Sequence, residues 1–166
     1  RFYWVFADGT VEYYDKRHLF RMGKEQEYVE QGQNRKIITI NGIKILPLVC
    51  YDLRFPVWAR NCQDYDLMVN VANWPAPRRY VWDTLLKARA MENQAFVVGV
   101  NRVGADGINT PHSGGTTMIN FDGETLVAAK DNQQQIITSK LDFNTLDKFK
   151  EKFPAFLDAD EFELRY

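Results

Sequence analysis

Apolar and polar positions along the chain fall into short segments whose period switches between that of a strand and that of a helix. RFYWVF, the turn at Asp8 and Gly9, and VEYYDK predict two antiparallel strands. The polar, charged stretch KRHLFRMGKEQEYVEQGQNR has no clean period and predicts a long loop, a feature that in a compact domain usually carries function. KIITI, Asn41-Gly42 and IKIL form the strongest hairpin signal in the sequence. The apolar run through Ile45, Leu46, Leu48 and Val49 predicts a buried strand. Pro47 within it removes one ladder donor, so the strand must bulge or leave that position unpaired on one side.

Leu53 to Cys62 predicts a helix, with Phe55, Trp58 and Ala59 on its apolar face and Pro56 in its first turn. DLMVNVA predicts a second buried strand, and Tyr80 to Asn93 a second helix that turns Val81, Trp82, Leu85, Leu86 and Ala88 inward. On that helix Asp83 and Lys87 are spaced for an exposed pair and Arg89 and Glu92 for a structural ion pair. AFVVGVN predicts a third buried strand, followed by a glycine-rich loop from Gly104 to Gly115 that contains His112. The remainder reads as an antiparallel finish: TTMINF, a turn at Asp122-Gly123, ETLVAA, a strand QIITSKL, a short helix NTLDKFKEKF, and an aromatic-acidic tail. The tail's Phe156, Leu157, Phe162 and Leu164 predict packing on the domain or on a partner subunit. The pattern is that of an α/β chain.

Composition narrows the picture. A chain of 166 residues fits one domain with a substantial core. With 21 basic and 22 acidic side chains and a net charge of -1, it shows no electrostatic footprint for nucleic acid or an anionic membrane. Its longest apolar runs are strand-sized, too short for a transmembrane helix. Cys50 and Cys62 are predicted at opposite ends of one short helix, too far apart to bridge, which points to a reducing, cytoplasmic setting. Two cysteines and two histidines without ligand spacing predict no metal site, and nothing calls for a cofactor. The chain opens at Arg1 without a methionine, directly inside an apolar run, and reads as the C-terminal portion of a longer domain.

The candidate chemistry centres on Cys50, which lies where the buried strand gives way to YDLRFP. A strand-to-helix elbow presents a side chain above the sheet edge and aims the next backbone N–H groups, starting with Tyr51, at the same place. The bland alternative is a small core residue.

Four stretches in order, YDKRHLF, LPLVCYDLRFP, VANWPAPR and KARAMENQAFVVGVNRVG, resemble the nitrilase superfamily of carbon-nitrogen hydrolases. YDKRHLFRM and EKFPAFLDADEF are most similar to the bacterial omega-amidases. The resemblance implies a four-layer αββα sandwich, here without its N-terminal strands and helices, so that apolar sheet surface is left needing cover. It implies Cys50 as nucleophile, Lys16 as oxyanion stabiliser together with the Tyr51 N–H, and Glu25 as the glutamate that positions the lysine, with Glu27 the alternative if the loop register differs. The family's general-base glutamate lies upstream of anything in this chain, so the isolated chain is expected to be nearly inactive.

Asn73, Trp74, Arg54 and Arg78 are the expected substrate-binding residues. Arg54, Arg78 and Arg79 are the cations available for the distal carboxylate of a 2-oxo dicarboxylic acid monoamide, although Arg54 has Asp52 as a competing partner. The implied activity is thiol amidohydrolysis through a thioester, by a homodimer or higher homo-oligomer. The alternatives are a non-catalytic assembly module of the same fold, or a related hydrolase acting on another amide, a nitrile or a carbamoyl substrate.

Overall fold

A computed structural model describes residues 1–164. The predicted hairpins form at turns that use left-handed backbone. β1 (Phe2–Val5) pairs antiparallel with β2 (Val11–Tyr14), and β3 (Ile38–Ile40) with β4 (Ile43–Val49). Asn41 and Gly42, both at positive φ, make the second turn. β3 pairs only with Ile43 to Ile45, so Pro47 lies beyond the reach of that ladder while remaining in register with Val69 of β5 (Leu67–Ala72) on the other side. The missing donor of Pro47 is tolerated in this way.

β4, β5 and β6 (Phe96–Asn101) are parallel and form the centre of a six-stranded mixed sheet. β9 (Thr117–Ile119) and β10 (Thr125–Ala128) extend it antiparallel at one side, and β3 closes the other. Alternation along the strands sends Leu46, Met68 and Val97 to one face, under Trp82, Leu86 and Ala90 of α2 (Arg79–Asn93). Ile45, Leu67 and Phe96 go to the other face, where α3 (Phe143–Lys152) packs with Leu146 and Phe149. Gly99 of β6 sits directly beneath α2, and a Cβ there would collide with Leu86 and Trp82.

Four expectations fail. Instead of one helix over Leu53 to Cys62 there is a 3-10 turn at Cys50–Arg54 and a single helical turn, α1 (Pro56–Ala59). Pro56 forces Phe55 into extended backbone (φ -107, ψ 91) and separates the two. The glycine-rich loop contains a two-stranded hairpin, β7 (Val103–Ala105) with β8 (Pro111–Ser113), closed by Asp106, whose Oδ1 accepts the N–H groups of Ile108 and Thr110. QIITSKL is not a strand: no ladder pairs with it among the described residues, and Ile136 is 98% exposed. Asp83 pairs back with Arg79 rather than forward with Lys87, whereas Arg89 and Glu92 do pair, at 2.8 Å.

The long loop holds two 3-10 turns, Arg21–Gly23 and Glu25–Glu27. In the tail, Leu164 packs against the main core, while Leu157 and Phe162 are exposed; the tail's last two residues lie outside the described ones. Tyr3, Val5, Val11 and Tyr13, which face one another across the first hairpin, are all at least half exposed.

Candidate active site

The site forms at the carboxyl ends of β4 and β5, where the chain leaves two adjacent parallel strands. A cavity of about 910 Å³ opens there, lined by Lys16, Glu25, Cys50, Tyr51, Arg54, Asn73, Trp74 and Arg78 among others. Every residue expected from sequence to act or bind is therefore in one place, except Glu27 and Arg79. Glu27 turns away towards Lys24. Arg79 is taken up by Asp83 and Asp131 at 2.8 and 2.7 Å and is not a lining residue.

Cys50 occupies the left-handed region at φ 50, which costs a non-glycine residue of order 1 kcal/mol and needs surrounding contacts to hold it. Those contacts come from Asn70 of β5, whose side chain is fully buried. Its Oδ1 accepts the Cys50 N–H at 2.9 Å and its Nδ2 donates to the Cys50 carbonyl at 3.5 Å. One residue earlier, the Val49 N–H donates to Asp52 Oδ2 at 3.1 Å.

Burial pushes the Cys50 thiol above its ordinary range; Lys16 and the Asn73 backbone N–H favour the thiolate, whereas Glu25 and Asp52 oppose it. The net direction is upward. No long helix dipole offsets the burial, because the element that starts at Cys50 is a short 3-10 turn.

Lys16 follows β2 and is largely buried. Its Nζ donates to both oxygens of Glu25, at 2.7 and 2.6 Å, and Glu25 Oε2 also accepts the Phe20 N–H at 2.9 Å. The end of the long loop returns to the lysine: the Gly32 N–H donates to the Lys16 carbonyl at 2.8 Å, and a Cβ at Gly32 would overlap the Asp15 carbonyl. Only glycine allows that approach.

Arg54 does not pair with Asp52. Its guanidinium carbon lies 5.7 Å from the Trp74 ring, that of Arg78 lies 5.3 Å from the Phe20 ring, and among the described residues neither arginine has an ion-pair partner. Trp74 is a wall more than a contact group: its indole N–H donates to the Arg78 carbonyl at 2.8 Å and its ring packs on Trp82. Tyr51 sets its ring between Phe20 and Phe55, each 5.1 Å away, leaving its backbone at the head of the 3-10 turn.

A cysteine thiol, a lysine bound by a carboxylate, and the ends of two parallel strands are thus gathered in one cavity. Residues 3–151 match the model of the carbon-nitrogen hydrolase family. The chain belongs to that family. It is 53% identical over 164 residues to omega-amidase YafV of Escherichia coli K12, a match that spans 99% of this chain and 64% of that relative. It is 33% identical over 150 residues to the 2-oxoglutaramate amidase of Bacillus subtilis, spanning 89% of this chain and 57% of that one. The fold superposes with a TM-score of 0.95 and 43% identity on XC1258 of Xanthomonas campestris, a CN-hydrolase superfamily protein with an arsenic adduct in its active site, covering 98% of this chain and 64% of that one. The chain therefore spans less than two thirds of the length of these proteins. Its own architecture is the mixed α/β fold of the nitrilase superfamily.

Sequence reasoning missed Asn70 and Asp52, which hold the elbow. Asn70 carried a signal, since a lone carboxamide in the apolar run DLMVNVA must find hydrogen-bond partners once buried. No group of three or more His, Cys, Asp or Glu among the described residues could hold a metal ion, and no helix among them is long and apolar enough to cross a membrane.

Proposed function

We propose that the chain carries the nucleophile and the oxyanion-stabilising side of a thiol amidohydrolase acting on the omega-amide of a 2-oxo dicarboxylic acid. The observation that carries this reading is the meeting of Cys50, Lys16 and Glu25 in one cavity. The Cys50 sulfur attacks the amide carbonyl; the oxyanion that forms is met by the Lys16 ammonium and the Tyr51 N–H. Collapse of the tetrahedral species breaks the carbon-nitrogen bond, the amine leaves as ammonia, and water then hydrolyses the thioester to the acid. Glu25 holds Lys16 in place. Arg54 and Arg78, which line the cavity and have no ion-pair partner among the described residues, supply the charge for the distal carboxylate. The relatives named omega-amidase and 2-oxoglutaramate amidase support this substrate class.

A buried thiol held in its neutral form needs a proton acceptor. Of the three carboxylates that line the cavity, Asp15 is paired with Arg1, Glu25 is paired with Lys16, and Glu30 is an exposed loop residue. In the proposed mechanism a carboxylate from outside these 166 residues is the general base, and the protein works as a homodimer or higher oligomer in the cytoplasm.

The test is ammonia release from 2-oxoglutaramate by the 166-residue chain and by the full-length protein that contains it, each with and without Cys50→Ala. Activity in the longer protein that disappears with Cys50→Ala supports the reading. Undiminished turnover by either Cys50→Ala form ends it. Turnover only of a nitrile or carbamoyl substrate changes the substrate class, and no turnover of any of these favours a non-catalytic assembly role.

A further inference from the structure

The reading of Cys50 and Lys16 as a reacting pair leaves open how two residues thirty-four positions apart are kept in register, since they lie on segments with no strand pairing between them. The geometry points to Asp52 as the positioning residue that clasps the lysine segment to the cysteine elbow. Its carboxylate is fully buried and accepts from both sides of the junction. From the lysine side, the Tyr14 hydroxyl donates to Oδ2 at 2.9 Å, the His18 backbone N–H donates to Oδ1 at 2.9 Å, and Nδ1 of the His18 ring lies 2.9 Å from that same oxygen. From the cysteine side, the Val49 N–H donates to Oδ2. Lys16 thus sits between two residues held by Asp52, and Cys50 sits between Asp52 and a third.

The clasp is reinforced around it. The Tyr14 hydroxyl accepts the Trp58 indole N–H at 3.0 Å and the Arg17 backbone N–H at 3.2 Å, so the residue next to Lys16 is fixed through the same oxygen. The His18 ring stacks flat on Phe55, 3.7 Å between centroids. A buried carboxylate with this many donors is costly to disturb, because each donor left behind is itself buried or part-buried.

The sign of Asp52's own charge makes the clasp testable. Three charged groups act on the Cys50 thiol: Lys16 lowers its pKa, and Glu25 and Asp52 raise it. If Asp52 acted only as a nearby charge, neutralising it would lower the thiol pKa. If it positions Lys16, neutralising it displaces the cation and raises the thiol pKa.

The experiment is the pH profile of iodoacetamide alkylation of Cys50, measured in a Cys62→Ser background so that a single thiol reacts. Asp52→Asn should raise the apparent thiol pKa and slow alkylation at pH 7 by about tenfold. Tyr14→Phe keeps the Asp52 charge while removing the hydroxyl that links it to the Arg17 N–H, and should shift the profile in the same direction; circular dichroism confirms folding of each variant, and Tyr14→Phe decides the matter if Asp52→Asn does not fold. A lowered thiol pKa in Asp52→Asn, or a lower melting temperature with an unmoved profile in Tyr14→Phe, overturns the clasp. Lys16→Met should raise the thiol pKa by itself. If it does and the clasp variants do not, only the clasp is lost; if Lys16→Met leaves the profile in place, the pairing of Cys50 with Lys16 is lost as well.

Discussion

The carboxamide of Asn70 holds both backbone groups of Cys50, accepting its N–H at 2.9 Å and donating to its carbonyl at 3.5 Å, from the neighbouring parallel strand. A left-handed backbone at Cys50 is thereby tied to a fully buried side chain rather than left to a flexible turn. Asn70→Leu orphans a part-buried N–H and should cost about 1–3 kcal/mol, read from urea denaturation midpoints. Within the same elbow, Cys50→Gly should be more stable than Cys50→Ala by about 1 kcal/mol, since only glycine enters φ 50 without penalty. Equal stability of the two would show that the elbow relaxes.

Lys16→Met keeps length and removes charge, leaving Glu25 without its cation. A donor to a developing oxyanion is typically worth about 3–4 kcal/mol, so single-turnover acylation in the full-length protein should slow by about 10²- to 10³-fold. A loss below tenfold would place Lys16 outside the reaction.

Gly32→Ala should act on the lysine without touching the cavity. Its Cβ would overlap the Asp15 carbonyl, so the loop end must move and its hydrogen bond to the Lys16 carbonyl must stretch or break. Overpacking of this kind costs about 1–3 kcal/mol of stability. The accompanying signature is slower Cys50 alkylation at neutral pH; unchanged stability and alkylation would contradict the close approach.

Alkaline pH should destabilise the fold. Burial raises the pKa of the Tyr14 and Tyr65 hydroxyls above their ordinary value, with Asp52 adding to the effect at Tyr14. The folded chain therefore keeps protons that the unfolded chain releases as pH passes about 10. The stability contributed by these groups is fully present below that pH and is lost progressively as pH rises above it. Urea midpoints measured between pH 8 and pH 11 should fall at the upper end. Tyr14→Phe should be less stable at pH 8 and show a shallower alkaline decline; an equally steep decline would assign the effect to other groups.

The order and type of most elements were legible because they rest on local rules. Asn41-Gly42 fixes a two-residue hairpin turn, and the apolar run through Leu48 gives a buried strand wherever it is placed. The helix assigned after Leu53 failed for a local reason too: the constraint of Pro56 on Phe55 outweighs the helical spacing of Trp58 and Ala59. QIITSKL failed because a strand exists only when another offers it a ladder, which an alternating sequence cannot guarantee.

At the site, the sequence by itself determined that a cysteine would stand at the end of a buried strand and that a charged loop with Lys16 and three glutamates would precede it. It left Glu25 and Glu27 as alternatives, assigned no part to Asn70, and cast Asp52 only as a competing partner for Arg54. The tertiary structure decided these, because the hydrogen bonds that choose Glu25, hold the Cys50 backbone and join Tyr14 and His18 to Asp52 span from 9 to 38 positions. A side chain's local period records which face it occupies; which buried donors it must satisfy is settled only when distant segments close over it and exclude water.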